Sequence, residues 1–169
     1  AQVIRVLMDE LTRIASHELW WGAMAMDLGA FTPFFHAFRE RESINDIMEE
    51  TCGARLTMNY MVPGGVMQDI HPNFQKRVKE FIQLYKSKVS EYDELLTGNT
   101  IFQNRMKGVG YLSAEDAISY GCTGPTGRGS GVSCDIRKLY PYEVYDKLEF
   151  DEILETGADS FAPYMWRLR

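Results

Sequence analysis

The first half of the chain repeats apolar residues with the period of an α-helix. Near the N-terminus they return every three or four positions, which places them on one helical face and predicts a first helix to about residue 26. Gly29 then interrupts the pattern. Thr32 and Pro33 restart it, because Thr is a favoured N-cap and Pro suits the first helical turn. We therefore predict a second helix as far as about Tyr60.

Proline and glycine mark the third helix. Pro63 and the two glycines after it close the second helix, and Pro72 opens another amphipathic stretch. The apolar spacing predicts that this third helix ends near Val89. A shorter helix is predicted around Glu91 to Leu96.

The pattern changes after Gly108. Ser113 followed by acidic residues indicates a helix start, which predicts one short helix from Ala114 to Tyr120. The glycine-rich stretch from Gly121 to Gly131 is predicted to be a loop. Little regular structure is expected from there to Asp151, and the tail from Ser160 to Arg169 begins another helical pattern.

These elements predict a mainly α fold with a helical bundle core and an irregular glycine-rich C-terminal segment. We expect a single-domain fragment in which residues 1–107 form the bundle core. Residues 108–169 would add a short helix, the glycine-rich loop and the start of a further helix. Because helical periodicity begins at Ala1 without a capping residue and continues to the last residue, we expect an internal fragment of a longer protein.

Charge and composition narrow the possible partners. The chain has 169 residues with a formal net charge of -6 and is 45% hydrophobic and 25% charged, which is typical of a folded globular piece. Because acidic residues are in excess, we expect no positively charged surface that would bind nucleic acid or anionic lipid. Leu19 to Phe38 is the one candidate membrane span, but Asp27, His36 and Pro33 interrupt it, so we expect buried helices and no direct membrane span. Three scattered cysteines fit reduced thiols in an intracellular compartment.

Asp27 is the most informative single residue, because apolar residues flank it on both sides. If buried, this carboxylate must be solvated, paired or protonated, with a raised pKa. The alternative is an Asp exposed at a turn that ends the first helix. Further along, the charges from Arg39 to Glu42 alternate in sign and continue in Asp46 and Glu49. They form either a solvated face or a docking surface.

Other apparent motifs are incomplete. His17 and Glu18 start a zinc-protease pattern, but Trp21 stands where the second His is needed. We therefore interpret the three histidines, His17, His36 and His71, as structural and expect no metal ligands. In the glycine-rich loop Ser130 occupies the position of the lysine of a phosphate-binding loop. There we expect Arg128 to anchor a neighbouring carbonyl or carboxylate.

Several segments together resemble the quinone-binding 49 kDa or D subunit of respiratory complex I. They run from Arg5 to His17, Met26 to Glu42, Cys52 to Tyr60 and Gly131 to Tyr142. Along the whole chain the motifs DLGAFTPF, FRERE, CGAR, PGGV, TGP and DIRK follow one another in this order. The resemblance covers essentially the whole chain. It implies a relative of the nickel-iron hydrogenase large subunit, with a helical bundle core whose former metal cavity has become the head of a quinone channel.

The resemblance also implies a function and a site. Electrons would pass from a terminal 4Fe-4S cluster, held by a neighbouring subunit, to a quinone, in a proton-translocating NADH:quinone oxidoreductase. Asp27 would tune protonation beside the quinone and is the one catalytic candidate, and Phe34 would line the channel. Arg55, Thr57 and Val62 would neighbour the cluster. The chain itself would bind no cofactor by metal ligation or covalent attachment.

Partners and location follow from the same resemblance. The expected partners are the cluster-bearing subunit, the 30 kDa or C-type subunit and the membrane-arm subunit of the quinone channel. The chain would lie peripherally on the cytoplasmic side of the cell membrane, and the isolated fragment would be inactive. Two alternatives remain: the large subunit of a membrane-bound energy-converting nickel-iron hydrogenase, and a helical scaffold without a catalytic role.

The chain departs from the family pattern at several positions. Thr57 and Val62 stand where many members have His and Arg. Because Thr cannot titrate near neutral pH as His does, we expect a weaker pH dependence of the terminal cluster potential. Gly127 replaces a common Leu, and Pro163 and Trp166 are unusual in a helical tail, so the family pattern does not predict the geometry of this region.

Overall fold

The computed structural model describes all residues, 1–169, and it is mainly α. The chain divides into two compact units, Ala1–Leu96 and Thr97–Arg169. The boundary lies before the expected one at residue 107, so the segment from residue 97 to 107 belongs to the second unit. No helix is both long and apolar enough to cross a membrane.

The first unit is built on three helices and a small hairpin. Helix α1 is Gln2–Asp27, α2 is Phe31–Cys52 and α3 is Phe74–Tyr92, which a π-helical turn, Asp93–Thr97, extends. Strands β1, Met61–Val62, and β2, Gly65–Val66, pair antiparallel. The three helices pack around one apolar core, and each contributes its inward face to it. Its most buried members are Met8, Leu11, Ile44, Ile47, Met48, Phe74 and Phe81.

Helix α1 and helix α2 form an antiparallel pair that approaches closely near the turn. A Cβ added at Gly22 would lie 3.2 Å from Cα of Phe34 and 3.4 Å from Cβ of Ala37. A side chain at position 22 would therefore hold the two backbones apart. The short connection through Gly29, whose φ is +88°, makes the pair antiparallel.

Helix α2 ends earlier than its apolar spacing predicts. The prediction of Tyr60 was wrong, because Gly53 adopts a left-handed φ of 78° and its N–H donates to the carbonyl of Glu49. Helix α3 runs past the predicted end at Val89. The separate helix predicted around Glu91 to Leu96 is instead the end of α3 and its π-helical turn.

The second unit consists of short helices joined by irregular segments. They are α4 Thr100–Met106, α5 Ala114–Ser119, α6 Gly124–Gly129, α7 Ile136–Leu139, a 3-10 turn Tyr145–Lys147, and α8 Phe161–Leu168. The predicted short helix after Ser113 is confirmed, with the Ser113 hydroxyl accepting from the amide of Asp116 at 3.0 Å. The predicted tail helix is also confirmed, as α8.

Helices α4 and α6 and the four-residue α7 of this unit were not predicted. Helix α4 is capped by Asn99, whose side chain accepts from the amides of Ile101 and Phe102 at 2.9 and 3.1 Å. Helix α6 lies inside the stretch predicted to be a loop, with Thr123 at its N-cap and Pro125 in its first turn. Its glycines do not break it, because packing against other parts of this unit outweighs their low helix propensity.

Candidate functional site

Asp27 is the last residue of α1, and it is exposed. The turn behind it is tight, since the amide of Ala30 donates to the carbonyl of Ala25 at 2.8 Å. The structure therefore selects the alternative in which this Asp stands at a helix-ending turn. The burial required for the other interpretation is absent in this chain.

Phe34 lies in the first turn of α2, on the other side of the connection that follows Asp27. Its half-buried ring stacks on Phe38 at a centroid distance of 4.2 Å and meets the edge of Phe35 at 5.8 Å. Phe31 and Phe35 on the same turn are 61% and 68% exposed. The α1–α2 turn thus carries one exposed carboxylate and two exposed aromatic rings, a combination that suits a ligand with an apolar ring and a polar head group.

Arg55 lies in the loop that follows α2, where it binds the acidic face of that helix. Its guanidinium donates to Asp46 at 2.7 Å and to Glu49 at 2.5 Å, and it also contacts Glu42. These hydrogen bonds raise the pKa of Arg55 above its already high ordinary value. Within the charge run from Arg39 to Glu49, Glu42, Asp46 and Glu49 therefore hold Arg55 at the surface of α2, whereas Glu40 is buried.

Thr57 and Val62 lie close to Arg55 in sequence and in the same loop-hairpin region. Thr57 is exposed, with a φ of 53°. It contributes to two adjoining pockets of about 200 and 350 Å³, the first of which Arg55 also lines. Val62 belongs to β1, and its carbonyl accepts from the guanidinium of Arg5 at 3.2 Å. Arg5 also donates to the carbonyl of Gly65 at 2.9 Å, which ties the hairpin to α1.

The structure brings the predicted site residues together as two groups, not one. Asp27 and Phe34 are at the turn between α1 and α2, whereas Arg55, Thr57 and Val62 follow the far end of α2. The stretch of α2 from Phe34 to Cys52 is about 27 Å long at about 1.5 Å of rise per residue. The roles assigned to these five residues stay predictions.

Arg128 lies in α6 and makes the kind of contact we expected of it. Its guanidinium donates to the carbonyl of Cys134 at 3.4 Å and lies 3.9 Å from the carboxylate of Asp135. It also stacks over the ring of Trp166, 4.4 Å from the centroid. Arg137 holds the pKa of Asp135 below its ordinary value through hydrogen bonds to the carboxylate. Trp166 is thus part of the packing around Arg128, which accounts for its presence in α8.

The departures at Gly127 and Pro163 also have a structural reason. A Cβ at Gly127 would lie 2.8 Å from the carbonyl oxygen of Cys122, so this backbone has no room for a larger residue. Pro163 stands in the first turn of α8, where a missing N–H leaves no helical hydrogen bond unmade. Its ring packs on Gly129, at a position where a Cβ would come within 2.7 Å.

The histidines do not converge on a common centre. His36 on α2 lies with Nδ1 2.5 Å from a carboxylate oxygen of Glu91, and Nδ1 of His71 accepts from the amide of Asn73 at 3.2 Å. His17 is half-buried on α1. No group of three or more His, Cys, Asp and Glu side chains is placed to hold a metal ion.

Sequence reasoning missed a pair of buried carboxyl groups, Glu18 and Glu40. Each residue is only 2% exposed, and they lie on the facing helices α1 and α2. Burial, with a smaller contribution from the charge of Glu40, raises the pKa of Glu18 to about 8, against an opposing effect of Arg41. The signal was present in the sequence, because Glu18 continues the apolar face of Leu11 and Ala15 at helical spacing.

Comparison with known proteins identifies the family. The family model for the 49 kDa subunit of respiratory-chain NADH dehydrogenase matches residues 27–169. The chain belongs to this family. The match starts at Asp27 and includes the α1–α2 turn, the Arg55 loop and the whole second unit. It confirms the resemblance to the 49 kDa subunit family.

Individual members of the family are also similar over nearly the whole chain. The C/D subunit of NADH-quinone oxidoreductase from Bacteroides thetaiotaomicron is 61% identical over 98% of this chain and 31% of its own length. The C/D subunit from Phocaeicola vulgatus is 54% identical over 99% of this chain and 32% of its length. The D subunit from Bacillus anthracis is 47% identical over 100% of this chain and 46% of its length. The chain therefore spans less than half the length of these relatives.

Proposed function

We propose that this chain is part of the quinone-site subunit of a proton-translocating NADH:quinone oxidoreductase. The family match over residues 27–169 is the observation that carries this proposal. Relatives of the chain are named as the D or the C/D subunit of NADH-quinone oxidoreductase. The enzyme is membrane-associated in this proposal, with this chain lying peripherally on its cytoplasmic side and quinone as the substrate.

The quinone end of the site is proposed at the α1–α2 turn. A quinone has a planar apolar ring with carbonyl oxygens that take up protons on reduction. The exposed rings of Phe31 and Phe35 offer apolar contact, and the ring of Phe34 meets that of Phe35 edge-on. Asp27 is the one carboxylate on this turn. It would orient a proton-donating neighbour or a water molecule toward the developing negative charge, because such a donor stabilises the reduced oxygen.

The electron-donating end is proposed at the loop after α2. A 4Fe-4S cluster held by a neighbouring subunit would supply single electrons there. Arg55, Thr57 and Val62 would face that subunit, together with the exposed Leu56. Arg55 already has three carboxylate partners on α2 in the chain by itself. The cluster-bearing subunit, the 30 kDa or C-type subunit and the membrane-arm subunit are the proposed partners.

The test is Asp27→Asn in the assembled enzyme, which keeps the shape of the side chain and removes its charge. We expect quinone-dependent NADH oxidation to fall by about tenfold or more, while electron transfer to an artificial acceptor upstream of the quinone is unchanged. Asp93→Asn, also at an exposed carboxylate of the first unit, is the matched control and should retain full turnover. Unchanged turnover and unchanged KM for quinone in Asp27→Asn would contradict the assigned role and favour a scaffold.

A further inference from the structure

Glu18 has no polar partner inside the bundle. Both of its carboxyl oxygens are buried, and neither makes a hydrogen bond. The residue lies one turn before Trp21, whose ring stacks on Tyr92 of α3 at a centroid distance of 4.5 Å. The indole N–H of Trp21 and the hydroxyl of Tyr92 are likewise buried without a hydrogen-bond partner. A charged carboxylate here would have lost its hydration and gained no hydrogen bond in return.

Glu40 has a different environment, although it is equally buried. Its carboxylate accepts a hydrogen bond from Nε of Arg39 at 2.7 Å and a second from the Nη2 of the same guanidinium. Its negative charge is therefore directly compensated. The two carboxyl groups are close enough for the charge of Glu40 to oppose ionisation of Glu18. When the environments of two interacting carboxyl groups differ in this way, one keeps its proton and the other its charge.

The remaining charged groups around the pair do not reverse this asymmetry. The positive charge of Arg41 lowers the pKa of Glu18, but burial is the largest effect and raises this pKa. Arg41 is half-buried, with its Nε unpartnered and its guanidinium 5.4 Å from the ring of Phe38. On α3, the pKa values of Tyr85 and Tyr92 are raised by burial first, so both hydroxyls stay neutral donors. The titratable groups that face the pair or its partners are thus Arg39, Arg41 and His36 on α2, and Tyr85, Lys88, Glu91 and Tyr92 on α3.

We propose that Glu18 is a buried proton-binding site, at which the Glu18–Glu40 pair holds one proton at neutral pH. The proton resides on Glu18, and Glu40 remains the charged partner of Arg39. Release of this proton leaves two negatively charged carboxylates in the bundle, and uptake of a proton returns the pair to a single negative charge. Because the interior screens charge weakly, the proton occupancy of the pair responds to any charge that appears nearby in the bundle. This site is separate from Asp27, which lies at the end of α1.

The test is infrared spectroscopy of the chain labelled with ¹³C at the glutamate carboxyl carbon, since a protonated carboxyl group has a C=O band distinct from that of a carboxylate. We expect one labelled protonated carboxyl at about pH 6, when exposed glutamates are ionised, and its loss as the pH rises to about 10. Glu18→Gln should remove the band. Glu49→Gln, at an exposed glutamate, is the matched control and should leave it unchanged.

A second variant tests the coupling between the two carboxyl groups. Glu40→Gln removes the like charge and should keep the band but shift its midpoint to lower pH. Absence of a protonated glutamate at about pH 6 in the unmodified chain would overturn the proposal. Persistence of the full band in Glu18→Gln, or an unshifted midpoint in Glu40→Gln, would also overturn it. The titration of the unmodified chain decides the question even if Glu18→Gln does not fold, since it needs no substitution.

Discussion

The contact between Gly129 and Pro163 gives a sharp test of packing in the second unit. A Cβ at residue 129 would lie 2.7 Å from Cγ and 2.8 Å from Cδ of Pro163, and both neighbours belong to a rigid ring. We expect Gly129→Ala to cost about 1–3 kcal/mol from overpacking. The better helix propensity of Ala offsets up to about 1 kcal/mol of this. The net result is destabilisation by about 1–2 kcal/mol.

The second substitution removes the obstacle. In Pro163→Ala the ring atoms are gone, and the closest remaining atom to the new Cβ is the backbone nitrogen at 3.1 Å. Pro163→Ala alone should cost about 0.4–1 kcal/mol, because the unfolded chain gains freedom. The double variant should therefore be less unstable than the sum of the two single variants, by about 1 kcal/mol or more.

Urea unfolding of the unmodified chain, the two single variants and the double variant measures this coupling. Hydrogen exchange at the amide of Ala158 gives a local readout, because that amide donates to the carbonyl of Gly129 at 3.0 Å. Gly129→Ala combined with Pro63→Ala is the control. Pro63 is an exposed proline of the first unit, so these effects should simply add. Additivity of Gly129→Ala with Pro163→Ala would refute the reasoning, since it would mean that the two side chains do not compete for space.

Three further predictions concern the first unit. Burial raises the pKa of Glu18 from 4.5 to about 8. The protonated carboxyl group therefore contributes fully to stability below about pH 4.5, and this contribution is lost by about 1.4 kcal/mol per pH unit as the pH rises to about 8. In Glu18→Gln the free energy of unfolding in urea should vary less with pH over this window, and an unchanged slope would contradict the raised pKa. Gly22→Val should destabilise the chain by about 1–3 kcal/mol in the same assay, because a Cβ there already lies 3.2 Å from Cα of Phe34; a neutral result would show that the helices separate at little cost. In the assembled enzyme the reduction potential of the terminal cluster should vary little with pH near neutrality. Thr57→His should steepen the dependence of this potential on pH toward about 59 mV per pH unit. Equal slopes in redox titrations of the unmodified enzyme and the variant would contradict this.

The elements that the sequence predicted well are those with strong local signals. Helix α1 shows sustained helical periodicity, and α5 follows a Ser113 cap that the structure contains. Where the prediction failed, a single local conformation outweighed the periodicity. The left-handed Gly53 ends α2 although apolar residues continue at suitable spacing. Helix α6 was missed for the opposite reason, because its glycines indicate a loop while the packing of the second unit makes a helix.

The candidate site was likewise predicted from the sequence only in part. Asp27, Phe34, Arg55 and Thr57 were chosen from the order of short motifs, which sequence records directly. Whether Asp27 is buried was open until the structure placed it on an exposed turn. The attachment of Arg55 to three carboxylates depends on how the loop after α2 folds back on that helix. The Glu18–Glu40 pair depends on the rotation of α1 against α2, which no local pattern specifies.

By itself the sequence determined the helical class, the family and the residues at which chemistry was to be sought. These properties follow from residue order and from the period of apolar side chains along one helix. The tertiary structure alone decided which carboxyl groups lose their water, which are paired, and how far apart the two proposed ends of the site lie. Hydration and pairing depend on neighbours from other helices. The identity of Glu18 was therefore visible in the sequence, while its unpartnered burial opposite Glu40 was not.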